Sequence, residues 1–129
     1  DLTAWHQESL VRKNHYAEMI ENSCGGAPGQ SESIDAEYYK RSPLNFLQQA
    51  QNVPLDINAG IYDGYSGSVP VTHSLKAFNK VAHPNDIIND DLLNEFANKN
   101  VPENLVNDYF DPYFGDKMLK CGRVDAEIK

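Results

Sequence analysis

Asp63 is the residue whose type and setting most invite chemistry. It follows the apolar-rich run from Val53 to Ile61 and stands directly before Gly64. A carboxylate just past the end of a strand lies where open α/β sheets gather their ligands. From there it can accept an imidazole N–H, fix the tautomer and stabilise the imidazolium of a Ser-His-Asp arrangement. An Asp-Gly turn residue that uses its side chain locally is the competing role. The other candidates are weaker. Ser66 sits in Gly64-Tyr65-Ser66-Gly67, where the second glycine comes one position too early for a GxSxG elbow. His6 and His15 precede Asp63, and His83 lies before Pro84 at a helix end, the setting of a cap or a surface residue. His73 could serve as a base only if the first turn of its helix bent back onto Asp63. Asp86, Asp90, Asp91 and Glu95 gather at a helix start without a calcium-loop pattern, and acids there already complement the helix dipole. No metal and no cofactor is expected. Tyr38-Tyr39 and Tyr109-Phe110 could line a cleft, but core or interface packing is the default for such rings.

The elements that would position these groups follow from periodicity and punctuation. A first helix is expected over about residues 4–22, capped by Asp1 or Thr3, with Trp5, Tyr16, Met19 and Ile20 on one face. Cys24-Gly25-Gly26 should stop it, and Ala27 to Ser33 reads as a loop or linker. Ser42-Pro43 has the form of a helix start, with Leu44, Phe46 and Leu47 turned inward as far as Ala50. Val53 to Ile61 suits a buried strand, followed by a glycine loop from Asp63 to Ser68. Pro70 then opens a helix in which Val71, Leu75, Phe78 and Ala82 recur with a 3.6-residue period. A further helix is expected from about Ile87 to Asn98, capped by Asn85 or Asp86, with Ile88, Leu92, Leu93 and Phe96 inward. A short turn from Pro102 to Leu105, a helical or extended piece from Lys117 to Lys120, and the start of a strand from Val124 to Lys129 complete the reading.

Composition bounds the function. A chain of 129 residues suits one domain, and 40% hydrophobic against 23% charged residues is a globular balance. The net charge is −8 and the basic residues are scattered, which disfavours a nucleic-acid or anionic-membrane partner. Apolar stretches fall well short of the roughly 20 residues that cross a bilayer, and no signal peptide is visible, so a soluble chain is expected. A first residue of Asp1 rather than methionine suggests a processed or excised piece. Cys24 and Cys121 are too far apart for a CxxC metal site, and two free thiols are favoured over a bridge. The compartment is left open.

The run Gly60-Ile61-Tyr62-Asp63, followed by Val69-Pro70-Val71-Thr72-His73-Ser74, resembles a stretch of α/β-hydrolases related to prolyl oligopeptidases and dienelactone hydrolases, reading G-x-x-D and then V-P-x-x-H-S. Arg41-Ser42-Pro43-Leu44 and Asp111-Pro112-Tyr113 fit the flanks. The resemblance covers residues 35–82 well and the rest loosely. It implies that Asp63 is the triad acid and that His73 is a helix position, not the triad histidine. In the family two residues separate the aspartate from V-P; here five intervene, Gly64 to Ser68. The family order is Ser, then Asp or Glu, then His. It implies a nucleophile elbow before residue 1 and a histidine past Lys129.

The expectation is therefore a single partial domain over residues 1–129, the carboxyl-side part of an α/β-hydrolase fold with few parallel strands flanked by helices. The complete enzyme would cleave an ester or peptide bond through an acyl-enzyme, and the isolated chain would be inactive. A missing portion or companion chain would complete it, and self-association is expected without one, since a parallel strand needs neighbours. The rivals are a non-catalytic interaction module and a subunit that completes an active site with another polypeptide.

Overall fold

The computed structural model describes residues 1–50, 53–60, 63–64, 68–98, 100, 110–111 and 116–124, the last two stretches as backbone. The chain divides into two compact units, Asp1–Leu47 and Gln48–Lys129, each with its own apolar cluster.

In the first unit, α1 (Leu2–Val11) is capped by Asp1, whose Oδ1 accepts from the Ala4 N–H at 3.1 Å. The expected long helix does not continue. Lys13 adopts φ 53°, a left-handed conformation that L-residues seldom take, and the chain reverses. Asn14 then accepts the Tyr16 N–H on its side-chain oxygen at 3.1 Å and launches α2 (Tyr16–Cys24). Splitting the helix lets two short pieces pack face to face, which one straight rod could not do. The glycine stop operates as expected: Gly25 is left-handed, with φ 89°, and its N–H and that of Gly26 both donate to the Glu21 carbonyl, at 2.8 and 2.9 Å.

A helix absent from the sequence reading follows. Ser31 accepts the Ile34 N–H and caps α3 (Glu32–Lys40), with Glu32 and Asp35 in the first turn. Its Tyr38 is buried with Ile20 and Cys24, against Leu2, Trp5 and Ile34. Ser42-Pro43 begins a 3-10 turn, Pro43–Asn45, with a second over Leu47–Gln49, in place of the expected helix. Buried Ser42 does not cap that turn. Its hydroxyl donates to the Tyr38 carbonyl at 2.8 Å and accepts the Leu2 N–H at 2.8 Å, so it ties the start of α1 to the end of α3.

In the second unit the expected strand and helix appear, the strand alternating half-buried and exposed until its last two residues rather than buried throughout; residues 65–67 of the expected loop lie outside the described residues. Strand β1 (Leu55–Gly60) ends in buried Ala59 and Gly60. Val71, just before α4 (Thr72–Val81), and Leu75, on it, pack on Ala59 together with Leu93 and Phe96 of α5 (Asp90–Ala97). Phe78, Ile88 and Leu92 pack around them. Asn89 caps α5 through the Leu92 N–H at 2.8 Å, so the helix starts later than expected and Ile87 is left exposed. Asn85 and Asp86 belong instead to a 3-10 turn, Pro84–Asp86, which His83 caps.

The sheet overturns the expected fold class. Strand β1 pairs antiparallel with β3 (Asp116–Val124), with Ile57 opposite Cys121 and Gly60 opposite Met118, and β2 (Phe110–Asp111) pairs antiparallel with β3. Among the described residues helix predominates and no two strands run parallel, so the chain is not a parallel α/β fold. The physical reason is that strand direction depends on how the chain returns to the sheet. A run of side chains that favours burial is the same for either direction. The segment from Lys117 to Lys120 is extended, within β3, and Val124 ends that strand; residues 125–129 lie outside the described residues, as does the turn expected at Pro102 to Leu105.

Candidate functional site

The geometry around Asp63 is that of a closed turn. The Asp63 N–H donates to the Gly60 carbonyl at 3.0 Å, and the Gly60 N–H donates to Asp63 Oδ2 at 3.2 Å. The carboxylate is thereby fixed to the end of β1, where a strand leaves backbone groups to be satisfied. The Asp63 carbonyl accepts the Val71 N–H at 3.2 Å, so the residue that opens the loop is bonded to the residue that caps α4. Gly64 has φ 88°, and a Cβ there would lie 2.6 Å from Pro70 Cα, inside any tolerable contact. Glycine is required on two counts, conformation and space. Asp63 itself is exposed.

The remaining candidates scatter. Ser66 lies outside the described residues. His73 occupies the second position of α4, half-buried, with its N–H donating to the Pro70 carbonyl at 3.0 Å. His83 accepts the Asn85 N–H on Nδ1 at 3.2 Å, the cap role read from its place before Pro84. His15 stacks on Tyr16 with ring centroids 4.4 Å apart. His6 is buried in the first unit, its Nε2 2.7 Å from Glu21 Oε1 and its ring edge-on to Tyr38. That pair joins α1 to α2 across 15 positions of sequence, and no local spacing could have signalled it.

Asp90 and Asp91 stand in the first turn of α5, where the helix dipole favours them, and among the described residues no group of three or more His, Cys, Asp or Glu is arranged to hold a metal ion. Tyr38 is core; Tyr39 is exposed and meets Phe46 edge-on at 5.5 Å, and Tyr109 lies outside the described residues. Cys24 is a buried free thiol whose pKa is raised by burial, so it is a poor nucleophile. No helix among the described residues is long and apolar enough to cross a membrane.

Comparison with known proteins adds no relative: no family model matches the chain, and neither a curated protein nor a solved structure does.

Proposed function

We propose that this chain supplies the orienting acid, Asp63, of a serine hydrolase that cleaves an ester or peptide bond through an acyl-enzyme, with serine and histidine supplied by polypeptide outside these 129 residues. The reading draws on the resemblance to the prolyl oligopeptidase and dienelactone hydrolase relatives over residues 35–82, and it draws on the strand, turn and helix alone, not on a parallel sheet. The observation that carries it is the place of Asp63 just past the end of β1; the hydrogen bond its Oδ2 accepts from the Gly60 N–H is the local turn role and does not exhaust the carboxylate. An ionised carboxylate offers about four acceptor sites, so one amide bond leaves capacity for an imidazole N–H. In such a site the serine hydroxyl attacks the carbonyl carbon and the histidine takes its proton. The imidazolium, stabilised by Asp63, returns that proton to the leaving group, and water then releases the acyl group. Asp63 is exposed in this chain, so the polypeptide bearing the histidine would also have to shield it. Ester and peptide substrates remain joint members of the proposal, since the pocket is built elsewhere.

A fluorophosphonate probe tests the proposal. The isolated chain is expected to stay unlabelled, and the complete enzyme to label. Asp63→Asn in the complete enzyme should lower turnover by roughly 10⁴-fold, as loss of this carboxylate's role does in the triad. Wild-type turnover in that variant removes Asp63 from the mechanism.

A second reading, a non-catalytic module that docks on another polypeptide, is favoured by the apolar side chains that the first unit leaves in solvent: Val11 is 72% exposed, Tyr39 58% and Met19 54%. Failure of the probe to label any complete form of the protein, with a bound partner lost when Val11, Met19 or Tyr39 is made polar, would select it.

A further inference from the structure

We propose that Gly64, Pro70 and Val71 form a latch that holds the Asp63 carboxylate in place, which makes Gly64 and Pro70 positioning residues. The catalytic meaning of the latch rests on the hydrolase reading; its existence does not. Relative to the family pattern, three additional residues lie between the aspartate and V-P, and a loose loop of that length would let Asp63 wander. The two ends of the loop are instead clamped. Val71 is 2% exposed and packed with Ala59 and Leu75, so it is anchored in the core. Its N–H donates to the Asp63 carbonyl at 3.2 Å, which transmits that anchorage to the turn. Gly64, at φ 88°, lies so close that an added Cβ would stand 2.6 Å from Pro70 Cα, 3.0 Å from Pro70 N and 3.2 Å from Pro70 Cβ. Two of those three atoms are backbone, so a side chain at 64 must push the loop ends apart rather than displace a flexible group. Parting them strains the Val71 bond and, one residue back, the bond from Gly60 to the carboxylate. The proline ring at 70 fixes its own φ and keeps that wall in position.

The test is amide NMR on the 129-residue chain. The Gly60 amide, bonded to Asp63 Oδ2, should move when that oxygen is removed in Asp63→Ala, and the size of that move is its response to the carboxylate. In Gly64→Ala the response should fall by at least half, and the Val71 amide should exchange faster by about tenfold, the factor that loss of one ordinary hydrogen bond gives. Leu75 and Phe96 resonances report that the core survives. Should Gly64→Ala fail to fold, Pro70→Ala leaves Gly64 unstrained and should shift both readouts in the same direction, by about threefold in exchange, a fraction of one hydrogen bond. A folded Gly64→Ala or Pro70→Ala with wild-type Gly60 response and Val71 exchange overturns the latch, as does a wild-type Gly60 amide that ignores the carboxylate. Turnover of Asp63→Asn in the complete enzyme judges the hydrolase reading separately.

Discussion

Asn79 and Ile88 are joined twice. The side-chain Nδ2 of Asn79 donates to the Ile88 carbonyl at 2.7 Å, and its Oδ1 accepts the Ile88 N–H at 2.8 Å. One amide side chain on α4 thus satisfies both backbone groups of a residue in the connection to α5, as a neighbouring strand would. It fixes the point from which Asn89 can cap α5.

Replacing Asn79 by alanine leaves a part-buried donor and acceptor without partners, each worth about 1–3 kcal/mol when stranded. Water reaching this partly exposed connection offsets some of that loss. Asn79→Ala is expected to destabilise the chain by about 2 kcal/mol in urea unfolding, with the m-value unchanged. A loss below about 0.5 kcal/mol, the ordinary scale of a surface substitution, would mean the connection is held by other contacts.

Tyr38 donates its hydroxyl to the Gly26 carbonyl at 3.1 Å, and burial pushes its pKa up to about 12. The folded value lies above the unfolded value of about 10, so the stabilisation is complete below pH 10. It is lost as pH rises through 10 toward 12, because the unfolded chain releases the proton first. In an ultraviolet titration one tyrosine should ionise late, in step with loss of near-ultraviolet circular dichroism, and Tyr38→Phe should remove that late component. Persistence of the component in Tyr38→Phe would assign it to another ring.

Ser9 is wholly buried in α1, and its hydroxyl has no hydrogen-bond partner among the described residues. An unsatisfied buried hydroxyl is unfavourable, and alanine is the better helix former by about 0.5 kcal/mol. Ser9→Ala should therefore raise stability by about 1 kcal/mol, read as a higher urea midpoint. A lower midpoint would show that the hydroxyl is satisfied in solution.

Gly25 and Gly64 separate two costs that glycine avoids. Both have φ near 90°, but a Cβ at Gly25 meets nothing within 4 Å. Gly25→Ala should cost only the left-handed conformation, about 1–2 kcal/mol, while Gly64→Ala adds the collision with Pro70. Denaturant unfolding of both variants should rank Gly64→Ala as the more destabilised, and the reverse order would contradict the packing at Pro70.

Much of the second unit was legible in the sequence because its signals are local. The run before Asp63 reads as a strand, Asp63-Gly64 as a turn, and Val71, Leu75 and Phe78 as a stripe, since each depends on residues a few positions apart. Gly25-Gly26 as a stop and His83 as a cap are legible for the same reason. Around Asp63 the sequence indicates a carboxylate at a strand end but not the clamp, because Val71 and Pro70 reach it across the loop.

Tertiary structure alone decided the rest. The break at Lys13 exists because two short helices bury more together than one rod. Helix α3 carries few apolar residues and is held by the Ser31 cap, buried Tyr38 and the Ser42 tie to Leu2, none of which a periodicity can register. The antiparallel pairing of β1 with β3 joins residues about 60 positions apart, such as Ile57 and Cys121. Composition and spacing determine which segments can be buried. The direction from which a distant strand arrives depends on the path of the whole intervening chain, and so appears only when the unit has closed.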